Sequence, residues 1–242
     1  MIDESATKTY YGQAIGLIIY PVKFYRLPGD VGNASTFNFP VQYKVIKPLN
    51  VVTRKPTLRT ERKIVEAAKE LEKEGVRVIG TDCGFMIYFQ EAMTNSVSIP
   101  VVSSSLLQVP IVSKLIGKKK KVGIITYNSR ELSKEHLRRA GIDDSIPIAI
   151  FGLETLPFPT PFAELPIEPK KRLKQLESRL VSAVKQLISK NPDVGAIVLE
   201  CTQLAVAAAA IQEATGLPVF DATTLLNWVY LGGVRKRFEG FI

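Results

Sequence analysis

The 242-residue sequence predicts an α/β fold of two pseudosymmetric lobes, each a parallel-sheet βα sandwich, with an active-site cleft between them. Three observations predict it. Apolar runs of strand length alternate with amphipathic stretches of helical period, the pattern of parallel sheets covered by helices. Val78-Ile79-Gly80-Thr81-Asp82-Cys83 and Ile197-Val198-Leu199-Glu200-Cys201 repeat one design, an apolar run closed by an acid and a thiol, and they contain both cysteines of the chain. A proline-valine pair follows each at the same remove, seventeen positions from Cys83 to Pro100 and from Cys201 to Pro218. Gly16-Leu17-Ile18-Ile19-Tyr20 and Gly123-Ile124-Ile125-Thr126-Tyr127 form a third echo.

Ile15 to Tyr20 is continuously apolar, as a strand buried on both faces must be. The Gly- and Asn-containing loop Leu27 to Thr36 follows, then a second strand, Val41 to Ile46. Thr57 to Glu74 has helical spacing, with Ile64, Val65, Ala68 and Leu71 on one face and Gly75 as its stop. The third strand ends at Cys83, a helix covers Phe85 to Ser96, and Pro100 to Ser103 is a strand. The second lobe repeats the plan. Its strands are Val122 to Thr126, Ile146 to Ile150, Val194 to Leu199 and Pro218 to Phe220. Its helices are Ser129 to Ala140, with Gly141 as C-terminal residue, Glu168 to Lys190, and the alanine-rich Gln203 to Thr215. In the long helix Leu173, Leu176, Leu180, Val184 and Leu187 form the buried face. The proline-rich Leu156 to Phe162 cannot be helical and reads as a surface flap or partner contact. Thr223 to Val229 closes the chain as a helix returning to the first lobe.

The composition, 46% hydrophobic and 23% charged, is that of a globular protein able to bury a sizeable core. Two cysteines do not make a disulfide framework. Met1-Ile2-Asp3-Glu4-Ser5 lacks the basic start and apolar core of a signal peptide. No apolar run reaches the roughly 18 residues of a membrane span. The expected setting is cytoplasmic and reducing, without a membrane partner. The formal net charge of +9 invites a nucleic-acid reading, with Lys118-Lys119-Lys120-Lys121 as its best support. No aromatic residues interleave with these lysines and no nucleic-acid module is visible, so the run reads as a solvated turn. Net positive charge instead favours encounter with small carboxylate substrates.

In parallel α/β sheets ligands bind at the carboxyl ends of strands, where Cys83 and Cys201 both lie. A cysteine just before a helix N-terminus feels the positive end of the helix dipole, which lowers its pKa. One thiolate then removes a proton from a carbon acid, and a thiol on the opposite face returns one to the other side. Two further readings stand beside this one: small buried hydrophobes, and a disulfide between the pair. Strand alternation turns Asp82 and Glu200 away from the thiols, toward the turn or the lobe interface.

Thr81-Asp82-Cys83-Gly84-Phe85 and Leu199-Glu200-Cys201-Thr202-Gln203-Leu204 resemble the aspartate/glutamate racemase superfamily, which includes hydantoin racemases, maleate isomerases and arylmalonate decarboxylases. Thr126, Asn128-Ser129 and Gly216 to Asp221 fit the same resemblance, which covers nearly the whole chain. The segments Gly29 to Asn33, Cys83 to Phe85 and Ser103 to Gln108 place it in a less characterised branch. The resemblance implies lobe one over residues 1–115 plus 222–242, lobe two over 116–221, and a cofactor-independent site with no metal. Cys83 and Cys201 would be the catalytic acid/base pair. Gly84 and Phe85 replace the Asn and Thr frequent after the first cysteine, and Gln203 replaces a Glu or His. The lost Asn would have contacted a substrate carboxylate or amine and Phe85 makes the pocket more apolar, and both argue against aspartate or glutamate as substrate.

Asp30 and Asn33, in the loop after the first strand, are candidate substrate contacts, or turn residues satisfying their own backbone. Ser103, Ser104 and Ser105 offer hydroxyl and backbone donors at a strand end. Thr126, Asn128 and Ser129 do so in lobe two, where Ser129 could instead be an N-cap. Thr202 offers a hydroxyl and a helix N-terminal N–H suited to a carboxylate. Asp221 and Thr223 are lesser candidates. His136, the single histidine, is expected to be a solvated residue on a charged helix. The expected function is a two-thiol racemase or epimerase acting on a small carboxylate-containing compound such as an amino acid or hydantoin, working as a homo-oligomer. A maleate-isomerase-like enzyme with a nucleophilic cysteine and a non-catalytic small-ligand-binding protein are the alternatives.

Overall fold

A computed structural model describes residues 11–21, 25–46, 57–155 and 168–241. The first sheet is formed by β1 (Ile15–Ile19), β2 (Val41–Val45), β3 (Val78–Thr81) and β4 (Val101–Val102), in the order β2-β1-β3-β4. The second is formed by β5 (Lys121–Thr126), β6 (Ile148–Gly152), β7 (Val194–Leu199) and β8 (Val219–Phe220), in the order β6-β5-β7-β8. All pairings are parallel and the two orders are the same. The expected α/β architecture of two matched sheets is therefore present. All six residues of β7 are buried, as its unbroken apolar run requires.

Each first strand carries a glycine that admits a helix side chain. Helix α1 (Leu58–Glu74) covers one face of the first sheet with Ile64, Ala67, Ala68 and Leu71. Leu71 comes so close to Gly16 that a Cβ there would meet its methyl group at 2.9 Å. Gly123 receives Leu187 in the same way, at 2.8 Å, from the long helix of the second lobe (Pro169–Lys190). The echo between Gly16 and Gly123 thus has a packing cause.

Several expected elements took other bounds. Each helix predicted after a thiol opens as a six-residue 3-10 segment, Gly84–Phe89 or Thr202–Ala207, before short α-helices α2 (Gln90–Thr94) and Ala208–Thr215. Tight winding is common at helix starts; here it accompanies the close seating of Gly84 and Thr202 against the opposite lobe. Helix α3 (Val109–Ile116) was not anticipated, being eight residues long with Pro110 in its first turn. The helix expected over Ser129 to Ala140 is only α4 (Lys134–Arg139), because Ser133 is its cap: Ser133 and His136 exchange side-chain-to-backbone bonds in a capping box. Ser129 is therefore not an N-cap.

The expectation of a solvated His136 is also overturned. The residue is 5% exposed, and its ring lies 4.9 Å from Phe85 and 5.5 Å from Tyr88. Burial depresses its pKa and favours the neutral ring. In α5 (Pro169–Lys190), Leu180, Ala183, Val184 and Leu187 are buried, whereas Leu173 and Leu176 are only half-buried. The proline-rich Leu156 to Phe162 lies outside the described residues. Helices α6 (Ala208–Thr215) and α7 (Ala222–Gly233) complete the chain. Leu226 of α7 packs with Ile15, Leu17 and Val78 on the first sheet.

A third apolar cluster joins the segments that follow β3 and β4 to the second sheet. Phe85, Ile87, Leu106 and Val109 pack on Val122 and Ile124 of β5 and on Ala196 and Val198 of β7. Burying a side chain of this size contributes about 1.5–3 kcal/mol, so this seam is a structural part of the molecule. Cys83 packs against it, whereas Cys201 packs against the core of the second lobe.

Candidate active site

Cys83 and Cys201 each occupy the residue that caps a 3-10 segment. Both are half-buried free thiols, so the disulfide reading does not hold. The two lobes are stitched together beside them. Thr202 donates its hydroxyl to the Asp82 carbonyl at 2.7 Å. Ser105 donates to the carbonyls of Leu199 at 2.6 Å and Glu200 at 3.2 Å. Gly84 lies against Glu200 so tightly that any Cβ would overlap its carboxylate and carbonyl. Glycine follows Cys83 because nothing larger fits.

The expected lowering of the thiol pKa values is overturned. Burial, then the Glu200 and Asp82 carboxylates, push Cys83 well above its ordinary value. Burial, then Glu200, raise Cys201. Backbone N–H groups of Phe85 and Gln203 pull in the other direction and do not win. A short helix start supplies an oriented N–H to each sulfur, but burial, together with the neighbouring carboxylates, outweighs it. The resting site is a pair of protonated thiols.

The acid before each thiol is buried and handled differently. Asp82 accepts the Tyr20 N–H at 3.1 Å and an Arg26 guanidinium nitrogen at 2.5 Å. Arg26 also donates to Asp30 at 2.9 Å. Burial raises Asp82 to about 6 despite the opposing pull of Arg26. Glu200 is 2% exposed and accepts the Thr126 hydroxyl at 2.9 Å. Burial raises it to about 7. The expectation that both acids serve the turn and lobe interface describes their contacts. It omits their charge, which both thiols feel.

The other predicted residues divide into two groups. Asp30, Gly84, Phe85, Thr126, Thr202 and Gln203 gather around the thiols and the two acids. Asp30 raises the pKa of Cys201 and lines a small cleft with Tyr25, Leu27, Arg172, Gln203 and Val206. The rest are engaged in local fastening. Asn33 caps Ala34–Thr36 and donates to the Arg26 carbonyl. Ser103 is spent on Gln90, Ser104 on the Leu106 N–H, and Asn128 on the Arg130 N–H. Ser129 gives both its donors to Glu154. Asp221 caps α7 through Thr223 and Thr224.

Three residues near the thiols were missed from sequence. Arg26 had one readable signal, an acid four positions on in a loop. Tyr20 and Tyr127 end the two echoed strands. The phenol of Tyr20 is raised by burial, Cys83 and Asp82, and that of Tyr127 by burial and Cys201. Each thiol therefore has a tyrosine as electrostatic neighbour.

The family model for Asp/Glu/Hydantoin racemase matches residues 53–229, which include both thiols. The chain belongs to the Asp/Glu/hydantoin racemase family. The chain is also similar to a dimethylsulfoniopropionate lyase of Durusdinium sp. clade D. That protein is 32% identical over 235 residues, covering 93% of this chain and 77% of the relative. Dimethylsulfoniopropionate lyase 3 of Emiliania huxleyi is 29% identical over 210 residues, and this chain spans about half, 54%, of its length. Among solved structures, unliganded arylmalonate decarboxylase superposes with a TM-score of 0.61 at 17% identity, covering 93% of this chain and 95% of that one. A glutamate racemase from Bacillus anthracis gives 0.54 at 14% identity, covering 91% and 82%. These two likenesses are of fold. Among the described residues no helix is long and apolar enough to cross a membrane.

Proposed function

We propose that this protein is an enzyme that removes the proton α to the carboxylate of a small substrate with a cysteine thiolate, and that the resulting carbanion expels a sulfonium group. Cys83 or Cys201 takes the α-proton. The electron pair released forms the Cα=Cβ bond. The Cβ–S bond breaks and its pair leaves on sulfur. Dimethylsulfoniopropionate would give acrylate and neutral dimethyl sulfide.

The observation that carries the proton step is the matched placement of the two thiols at the carboxyl ends of β3 and β7. The leaving group is supported by the 32% identity to a dimethylsulfoniopropionate lyase over nearly the whole chain. The charge of the site suits an onium substrate. Three carboxylates, Asp30, Asp82 and Glu200, act on Cys201, and the described ion pairs bring Arg26 to two of them. Aromatic faces such as those of Tyr20 and Tyr127 attract a desolvated cation. A dicarboxylate would meet like charge at the same place.

The test is to incubate the protein with dimethylsulfoniopropionate and quantify dimethyl sulfide in the headspace and acrylate in solution. Equal amounts of both are expected. Release of neither by folded protein defeats the lyase reading.

One observation favours a second reading, racemisation or epimerisation of an amino acid or hydantoin. Elimination needs one base, whereas inversion at carbon needs two, and two thiols are retained. It predicts deuterium uptake from heavy water at the stereocentre together with loss of optical rotation. Neither signal across a panel of amino acids and hydantoins would set it aside.

A further inference from the structure

We propose that Glu200 is the proton acceptor shared by the two thiols: it takes the proton of whichever cysteine becomes the base, the substrate re-protonates that cysteine, and Glu200 then gives its proton to solvent in an elimination or to the other cysteine's thiolate in an inversion. The inference rests on the reading that Cys83 and Cys201 perform proton chemistry.

Three features of Glu200 lead to it. First, its placement is one residue from each thiol: it precedes Cys201 in the chain, and its carboxylate presses on Gly84, which follows Cys83. Second, it is buried without a counter-charge among the described ion pairs, and its carboxylate accepts a hydrogen bond from a neutral hydroxyl, that of Thr126. Asp82, by contrast, has Arg26. Third, of the charges that act on Cys83 and on Cys201, Glu200 is the largest in both cases. The other titratable groups facing the cluster are Asp82, Asp30, Arg26, Tyr20 and Tyr127.

Like charges this close in a buried site do not all ionise together. At rest the negative charge sits on Glu200 and both thiols keep their protons. Transfer of a proton from S–H to the carboxylate gives S⁻ and COOH with no change in net charge. The thiolate then takes the α-proton and is a thiol again. Glu200 therefore acts through the cysteines, as a positioning residue for the proton.

The experiment is thiol alkylation against pH, with and without Glu200→Gln, beside the dimethyl sulfide assay. Gln keeps the acceptor for Thr126 and the packing on Gly84. In the wild type, alkylation should rise in two steps, a first near neutrality as the cluster loses one proton and a second at higher pH. E200Q should show a single step. Its turnover should fall about 100-fold, the usual size of a lost acid/base contribution, while its folded thiols alkylate faster above neutrality. Identical alkylation curves, or unchanged turnover, overturn the proposal. Should E200Q fail to fold, Thr126→Val serves instead. It removes the hydrogen bond that favours ionised Glu200, so the low-pH step must move to higher pH; a step that stays overturns the proposal. The alkylation arm needs no substrate. A wild type with the two-step curve but no dimethyl sulfide release therefore retires the lyase reading and leaves the role of Glu200 standing.

Discussion

The half-site around Cys83 and the half-site around Cys201 share a backbone and differ in how they handle charge. Each has a buried strand, an acid, a thiol, a 3-10 segment and a tyrosine neighbour. In the first, the acid is Asp82 and it is met by a guanidinium. In the second, the acid is Glu200 and it is met by a hydroxyl. Duplication explains the common scaffold. The electrostatics differ, so the two thiols sit in unequal surroundings.

That difference can be broken in several ways, the largest first. Cys83→Ser and Cys201→Ser should each lower turnover by about 10²–10⁴-fold, the range for a lost acid or base. The losses should be unequal under elimination, which uses one base, and similar under racemisation, which uses both. Initial rates of the two purified variants decide between them.

Next is Arg26→Met, which strands Asp30 and Asp82 without their cation. Removing one partner of a buried ion pair costs about 3–5 kcal/mol. Thr126→Val, its counterpart in the second half-site, removes one hydrogen bond and should cost about 1–3 kcal/mol. Urea unfolding of the two variants should rank them in that order. Gly84→Ala follows, at about 1–3 kcal/mol for overpacking. Its Cβ meets Glu200, so a chemical-denaturation midpoint that does not fall would show that the lobes part easily.

The smallest effect is on the pH dependence of stability. Glu200 is raised in the folded state from 4.5 to about 7. An acid raised on folding binds more protons in the native state than in the unfolded one. Its contribution is therefore full below the unfolded value and is lost as pH rises toward 7. Wild-type stability should fall across this window with a slope approaching about 1.4 kcal/mol per pH unit from this group. E200Q should flatten it, as read from denaturant midpoints at successive pH values.

The strands were the most legible part of the fold, because strands buried on both faces leave unbroken apolar runs such as Val194 to Leu199. The Gly16 and Gly123 echo was visible too, though only the leucines pressed against it give its reason. Helix α3 escaped because eight residues with a proline near the start carry too few turns for a clear period. His136 was misread because its neighbours Lys134, Glu135 and Arg138 are charged, while the surface that buries it belongs to Phe85 and Tyr88, distant in sequence. In the site the thiols were legible from repetition. Their basicity was not, because it is raised first by burial and then by carboxylates that act through space. Arg26 bridges Asp30, four positions away, and Asp82, fifty-six away; only the second contact makes it part of the site. Ser103, Asn128 and Ser129 had the right chemistry, but their donors and acceptors are consumed by near neighbours.

The cross-lobe bonds from Thr202 to Asp82 and from Ser105 to Leu199 and Glu200 are buried, and each reaches a residue within two positions of a thiol. Two jaws riveted in this way cannot hinge apart there without exposing buried carbonyls. The two thiol-bearing turns are thus tied to each other by the fold itself. The Gly29 loop adds another contact across the molecule, resting on Val206 in the segment that follows Cys201. If the two thiols share the proposed proton chemistry, replacing Thr202 or Ser105 is the direct way to alter how they face each other.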